Sequence, residues 1–235
     1  MMRAPLTPSA VDRIRQQRIA PRPTQHDYLH LRGLLAALRR AFENLDVARG
    51  PVLDVYCGAR PYESIIPWRP VWALDIDRHF GGANVIGSIP FPFRDGAFSV
   101  VVCTQALYLV DDPMTTVNEM RRVTMRGGYA VVTVPCIFRR ESSAERRWTR
   151  EDLHLLFRAW NPVIVAGVDG PAVGAALYTG QLILAATRRW PILAPVLSGS
   201  ALVLNGTAAV AERLLRPLAH RSPSSLIVIA RRPDD

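Results

Sequence analysis

Residues 51–60 read Pro51-Val52-Leu53-Asp54-Val55-Tyr56-Cys57-Gly58-Ala59-Arg60. A short apolar run ends in a carboxylate and is broken by a Cys-Gly turn. A glycine there lets backbone N–H groups come close to a ligand. About twenty residues on, Val71-Trp72-Ala73-Leu74 forms a second apolar run that ends at Asp75-Ile76-Asp77. A carboxylate at the end of a second strand can accept both hydroxyls of a ribose, the usual logic of nucleoside recognition in α/β sheets.

Outward from this pair, Phe98–Cys103 and Tyr129–Val134 are near-continuous, valine-rich runs. Such runs read as strands buried on both faces, as in a parallel sheet covered by helices. Between them the stretch 115–123 has helical character, and upstream Leu31, Leu34, Leu35, Leu38 and Phe42 recur at helical spacing over 28–45. Strand and helix therefore alternate, which predicts a doubly wound α/β sheet. Ligands of such sheets sit beyond the carboxyl ends of the strands. The segments to watch are Asp54–Arg60, Asp75–Asp77 and Thr104–Tyr108.

The chain has 235 residues, 49% of them hydrophobic and 21% charged, enough to bury a substantial core. Its formal charge is +9, and every one of its 29 basic residues is arginine. The arginines are scattered as pairs, such as Arg39-Arg40 and Arg188-Arg189, and no run of basic and stacking aromatic residues favours a nucleic-acid partner. Cys57, Cys103 and Cys136 lack metal-ligand spacing and suit small buried hydrophobes in a reducing compartment, so no metal site is expected and the reading is cytoplasmic. Residues 1–27 are rich in Pro and Arg, without sustained periodicity, and are expected to form a flexible arm ahead of one domain over 28–235.

Five ordered stretches resemble class I S-adenosylmethionine-dependent methyltransferases, closest to the broad type 11 group. VLDVYCGARPY (52–62) is similar to their first motif, commonly VLDVGCG, and WALDID (72–77) to their second. FPFRDGAFSVVVCTQALYLVDDP (91–113) and EMRRVTMRGGYAVVTVP (119–135) resemble the middle region and the helix, Gly-Gly turn and fifth strand. RRWTREDLHLLF (146–157) is similar to the segment that follows. The resemblance covers about residues 28–168 and the terminal strand near 224–231. It implies a Rossmann-like, mostly parallel seven-stranded sheet with helices on both faces.

It also implies S-adenosylmethionine as cofactor. Asp54, Val55, Cys57 and Gly58 would line its methionine part, Asp75 would hold the ribose hydroxyls, and Ile76 and Ser88 would lie at the adenine. Thr104 and Gln105 would face the amino-acid end or the reacting methyl, and Tyr108 is the preferred catalytic, site-lining residue. The departures are Tyr56 and Arg60 at frequent glycine positions, Ser88 and Ser99 at common aspartates, and Tyr108-Leu109 at a common Glu-His pair.

The implied function is methyl transfer to a small-molecule or lipid-like acceptor. The alternatives are a methyltransferase-like binding or scaffold protein without catalysis, and a nicotinamide-dependent enzyme, which the incomplete G-x-G-x-x-G disfavours. An apolar insertion over 171–217 precedes the last strand and is expected to form a helical pair packed on the sheet. Its runs are short and interrupted for membrane spans, and Arg188-Arg189 would sit on the wrong side of a two-span hairpin. The pair is expected to serve as a lid, a homodimer face or a peripheral membrane contact.

Overall fold

A computed structural model describes residues 4–137, 145–193, 199–215 and 223–234. Seven strands form one sheet: β1 (Val52–Val55), β2 (Val71–Asp75), β3 (Val85–Ile86), β4 (Phe98–Thr104), β5 (Thr124–Pro135), β6 (Val163–Val168) and β7 (Ser225–Arg231). Their order is β3-β2-β1-β4-β5-β7-β6. β7 runs antiparallel to both its neighbours, and the pairs among β1 to β5 are parallel. This is the doubly wound, mostly parallel sheet expected from the valine-rich runs. The short β3 is the strand that periodicity does not reveal, since two residues carry no pattern.

Each buried strand feeds two cores by its period-2 alternation. Along β4, Val101 and Cys103 join one core with Met120 and Val123 of α3 (Pro113–Val123) and Leu153 of α4 (Arg150–Leu156). Val100 and Val102 point the other way, into a core with Leu34, Leu38 and Phe42 of α2 (Tyr28–Glu43). The apolar face of α2 is the one its 3.6-residue spacing marks out. Asp112 caps α3, its side chain accepting from the Thr115 N–H at 3.1 Å, and Pro113 occupies the first helical turn. At the other end α3 passes into β5 with no separating Gly-Gly turn; Gly127 (φ 71°) and Gly128 lie inside the strand, where the pairing with β4 shifts register.

The expected loose arm instead carries a helix, α1 (Pro8–Ile19). Thr7 caps it and Pro8 starts it, but Val11 is its one buried residue, so no apolar periodicity announces it. The apolar insertion forms two helices, α5 (Pro171–Arg189) and α6 (Ser200–Leu214), joined by a short 3₁₀ turn, Pro191–Leu193, and the segment after it. They pack on each other and on α2. Glu212, near the end of α6, accepts from the N–H groups of Ala172 and Val173 at 3.1 Å each, capping the start of α5 and making the pair antiparallel. Among the described residues, no helix is long and apolar enough to cross a membrane.

Candidate functional site

Parallel pairing places the carboxyl ends of β1, β2 and β4 along one edge of the sheet: Asp54 pairs with Ala73 and Val102, and Val55 with Leu74. β6 ends at the same edge, because Val168 and Pro135 both pair with Ser225 at the start of β7. The loops leaving this edge carry the candidate site.

The first loop turns sharply. Tyr56, Gly58 and Arg60 all have φ of 54°, the left-handed region in which only glycine is free of strain. The Cys57 N–H holds the loop to β2 through the Leu74 carbonyl at 3.1 Å. Tyr56 is tolerated because its ring turns inward, meeting Phe91 edge-on at 6.3 Å and packing against the buried cluster. It therefore packs against the core beneath α3. Arg60 likewise turns its guanidinium away, onto Glu63 at 2.8 Å and the Val71 carbonyl at 3.2 Å.

Two carboxylates meet at this loop. Asp75 takes the Gly58 N–H on Oδ2 at 2.9 Å and the Ile76 N–H on Oδ1 at 2.8 Å. Each oxygen keeps a lone pair for a further donor. Burial pushes the Asp75 carboxyl up, while these two N–H groups hold it down. Asp54 is more extreme: its residue is 3% exposed, and Oδ1 has no hydrogen-bond partner. Burial raises its carboxyl to about 7; the Arg60 charge opposes this, and Asp75 and Glu63 add to it. Cys57 and Cys103 are buried thiols pushed up in the same way, which makes them unreactive.

On the neighbouring strand, Thr104 ends β4 and Gln105 has φ of 52°, its N–H shared between the Thr133 carbonyl at 2.9 Å and Thr133 Oγ1 at 3.1 Å. Gln105 Nε2 is buried and, like Asp54 Oδ1, has no partner. Ile76 is 61% exposed beside Asp75. Ser88 is exposed just past β3, where the Gly87 N–H bonds the Asp75 carbonyl at 3.0 Å. Tyr108 is half-buried in the 3₁₀ turn Leu107–Leu109. Its carbonyl accepts from the Arg146 N–H at 3.0 Å. A recess of about 290 Å³ opens beside this turn, lined by Asp111, Pro113, Met114, Arg146, Trp148 and Leu155 among others. A second, of about 420 Å³, lies between α1 and the approach to α2, and neither includes Asp54, Gly58 or Asp75. His154 is exposed on α4, as its helical setting implies, and His79 is held by the Ala4 carbonyl at 2.6 Å.

Several neighbours of the loop carry no sequence signal. A Cβ on Gly82 would collide with the Gly58 carbonyl oxygen, so the 78–84 segment and the first loop touch backbone to backbone. From α1, Arg15 Nε donates to the Ala59 carbonyl at 2.6 Å, and the Leu6 N–H donates to the His79 carbonyl at 2.7 Å. The N-terminal segment thus lies across the loop pair. Such contacts join residues 44 and 73 positions apart, or more, and no local pattern encodes them. Among the described residues no group of His, Cys, Asp and Glu could hold a metal ion.

The family model described as a methyltransferase domain matches residues 75–132, from the acid ending β2 to the middle of β5. No curated protein sequence matches the chain. Among solved structures, the [4+2]-cyclase SpnF is similar with a TM-score of 0.59 and 17% identity, over 88% of this chain and 83% of that one. A Haloferax volcanii protein described as a putative methyltransferase, solved with a methyltransferase activator, gives 0.55 and 18% over 86% and 91%. A Haemonchus contortus phosphoethanolamine N-methyltransferase, bound to phosphomonomethylethanolamine and S-adenosylhomocysteine, gives 0.54 and 15% over 86% of this chain and 52% of that one. At these identities the structural likeness speaks for the fold, and a cyclase among the neighbours shows that the fold hosts more than one chemistry. The chain thus carries a methyltransferase-domain match over 75–132, on a seven-stranded, mostly parallel sheet whose acid-ended strands flank the loop.

Proposed function

We propose that the protein binds S-adenosylmethionine at the Asp54–Gly58 and Asp75–Ile76 loops and methylates a small-molecule or lipid-like acceptor. The observation that carries this reading is that two of the buried, unpartnered polar atoms, Asp54 Oδ1 and Gln105 Nε2, lie at the ends of adjacent strands. A buried polar atom without a partner is costly, and native proteins keep few of them. A carboxylate oxygen and an amide N–H₂ suit the ammonium and carboxylate of an amino-acid moiety.

The remaining residues fit the rest of the cofactor. Asp75, already oriented by two backbone N–H groups, has acceptor capacity for a ribose diol. Ile76 and the partly exposed Phe80 offer apolar surface to a base, and Ser88 a hydroxyl to its edge. When bound, the cofactor supplies an activated sulfonium methyl. The protein's own contribution is then alignment: holding an acceptor in line is worth about 7–11 kcal/mol of barrier. Tyr108, in the turn beside the recess beyond β4, would line the acceptor side, and the inward turn of Tyr56 leaves the loop backbone free for close approach.

Calorimetric titration with S-adenosylmethionine and S-adenosylhomocysteine tests the proposal. Saturable binding is expected, weakened about 10- to 100-fold in Asp75→Ala through loss of a charged hydrogen-bond acceptor. Folded protein that takes up neither ligand at millimolar concentration would overturn it and favour the scaffold alternative.

A further inference from the structure

The α5–α6 hairpin buries one face and leaves the other conspicuously apolar. On α5 the exposed large apolar side chains are Tyr178, Leu182 and Leu184, followed by Arg188 and Arg189 at its end. On α6 they are Leu202, Val203, Val210 and Leu214, separated by Gly206 and Thr207. At the turn between the helices, Trp190 is 54% and Ile192 85% exposed; Val203 and Leu214 are 68% and 78% exposed. Isolated apolar side chains on a surface need no explanation, but a contiguous set across two packed helices does.

The charges of the same hairpin are one-sided. α5 contains no carboxylate, and α6 contains only Glu212, whose Oε2 faces inward to cap α5. The cations all face out: Arg188 and Arg189 at the turn end, Arg213 at the other. Arg189 lies over the Trp190 ring at 5.9 Å, a pairing of an aromatic and a cation suited to a headgroup layer. An apolar middle with arginines at both ends lets the aliphatic side chains enter a lipid surface while the guanidinium groups stay at anionic headgroups.

We infer that the outer face of the α5–α6 hairpin docks onto an anionic phospholipid surface, lying flat against it. A second copy of the chain fits less well, because a two-fold contact through this face would set arginine against arginine with no acid of the hairpin to offset them. Protruding aliphatic side chains with few hydrogen-bonding groups also match a fluid bilayer better than a shaped protein partner. The hairpin leaves β6 at the carboxyl edge of the sheet, so docking would bring the Asp54 and Asp75 loops toward the lipid without any helix crossing it. The inference stands on the hairpin alone, and its test reads binding to lipid, independent of methyl transfer.

The test is flotation of the full chain with vesicles of phosphatidylcholine alone or mixed with phosphatidylglycerol. The expected result is a preference for the anionic vesicles of about a hundredfold from three arginines near the surface, reduced by salt. Two double variants of exposed residues separate the contributions: Arg188→Glu with Arg189→Glu, and Leu182→Gln with Val210→Gln. Each should lower binding at least about tenfold while leaving the thermal midpoint and the affinity for S-adenosylhomocysteine unchanged. Failure to bind anionic vesicles would overturn the inference. So would binding that survives Leu182→Gln with Val210→Gln, which would trace it to the overall charge of +9. A dimer in solution that the same pair abolishes, with no vesicle binding, would assign the face to a second copy instead.

Discussion

Asp54→Asn removes one ionisable proton and little else, and the structure sets opposite expectations for stability and for binding. In the folded chain the Asp54 carboxyl is raised from 3.8 to about 7, chiefly by burial. A difference of about 3 pK units corresponds to about 4 kcal/mol. Because the folded value is the higher one, the stability contribution is whole below the unfolded value. It falls as pH rises through the interval and is fully lost above about 7. Between about pH 5 and about pH 8 the native protein should therefore lose about 3 kcal/mol through this group. The substituted amide has nothing to ionise, so urea denaturation of the variant should show a pH dependence smaller by that amount, with the variant the more stable at the higher pH. Calorimetry at that pH should show S-adenosylhomocysteine affinity reduced about 10- to 100-fold, from loss of a charged partner for the ligand's ammonium. Parallel pH profiles for the two proteins would refute the burial argument, and an unchanged affinity would remove Asp54 from the cofactor site.

Three further outcomes follow from the same geometry. Gly82→Ala drives a Cβ into the Gly58 carbonyl, so the two loops must separate; binding of S-adenosylhomocysteine should weaken at least about tenfold with a stability loss of about 1–3 kcal/mol. Tyr108→Phe should lower turnover and leave cofactor affinity unchanged, and unchanged turnover would take the phenol out of the reaction. Asp169, at φ 57° beyond β6 and bonded by Ser224 Oγ at 3.4 Å, is raised to about 7 by burial and by Glu212. Asp169→Asn, which tolerates that backbone, should raise stability above neutral pH by up to about 4 kcal/mol and leave it unchanged in acid, as denaturation across pH would show.

Much of this architecture is written in local chemistry. Continuous valine runs at 98–103 and 129–134 admit few structures other than strands covered on both sides, and the spacing of Leu31, Leu34, Leu38 and Phe42 leaves α2 one buried face. Carboxylates at the ends of two such runs, with a glycine turn between, mark the candidate site, because strand ends and turns are read within a few residues. The insertion at 171–217 is legible as paired helices for the same reason, though its partner is α2 and not the open face of the sheet.

What tertiary structure decided lies between segments distant in sequence. The arm becomes α1 because Arg15 and Leu6 find carbonyls on two loops of the site. Tyr56 changes from an obstacle into a packing residue once Phe91 and the core beside it give its ring somewhere to go. Glu212, an ordinary helix acid in the sequence, turns inward to cap α5 and leaves the outer hairpin face with arginines alone. Composition and periodicity specify which residues must leave water. Which groups then meet, and which carboxylates are stripped of solvent, depends on the three-dimensional placement of partners that no local pattern records.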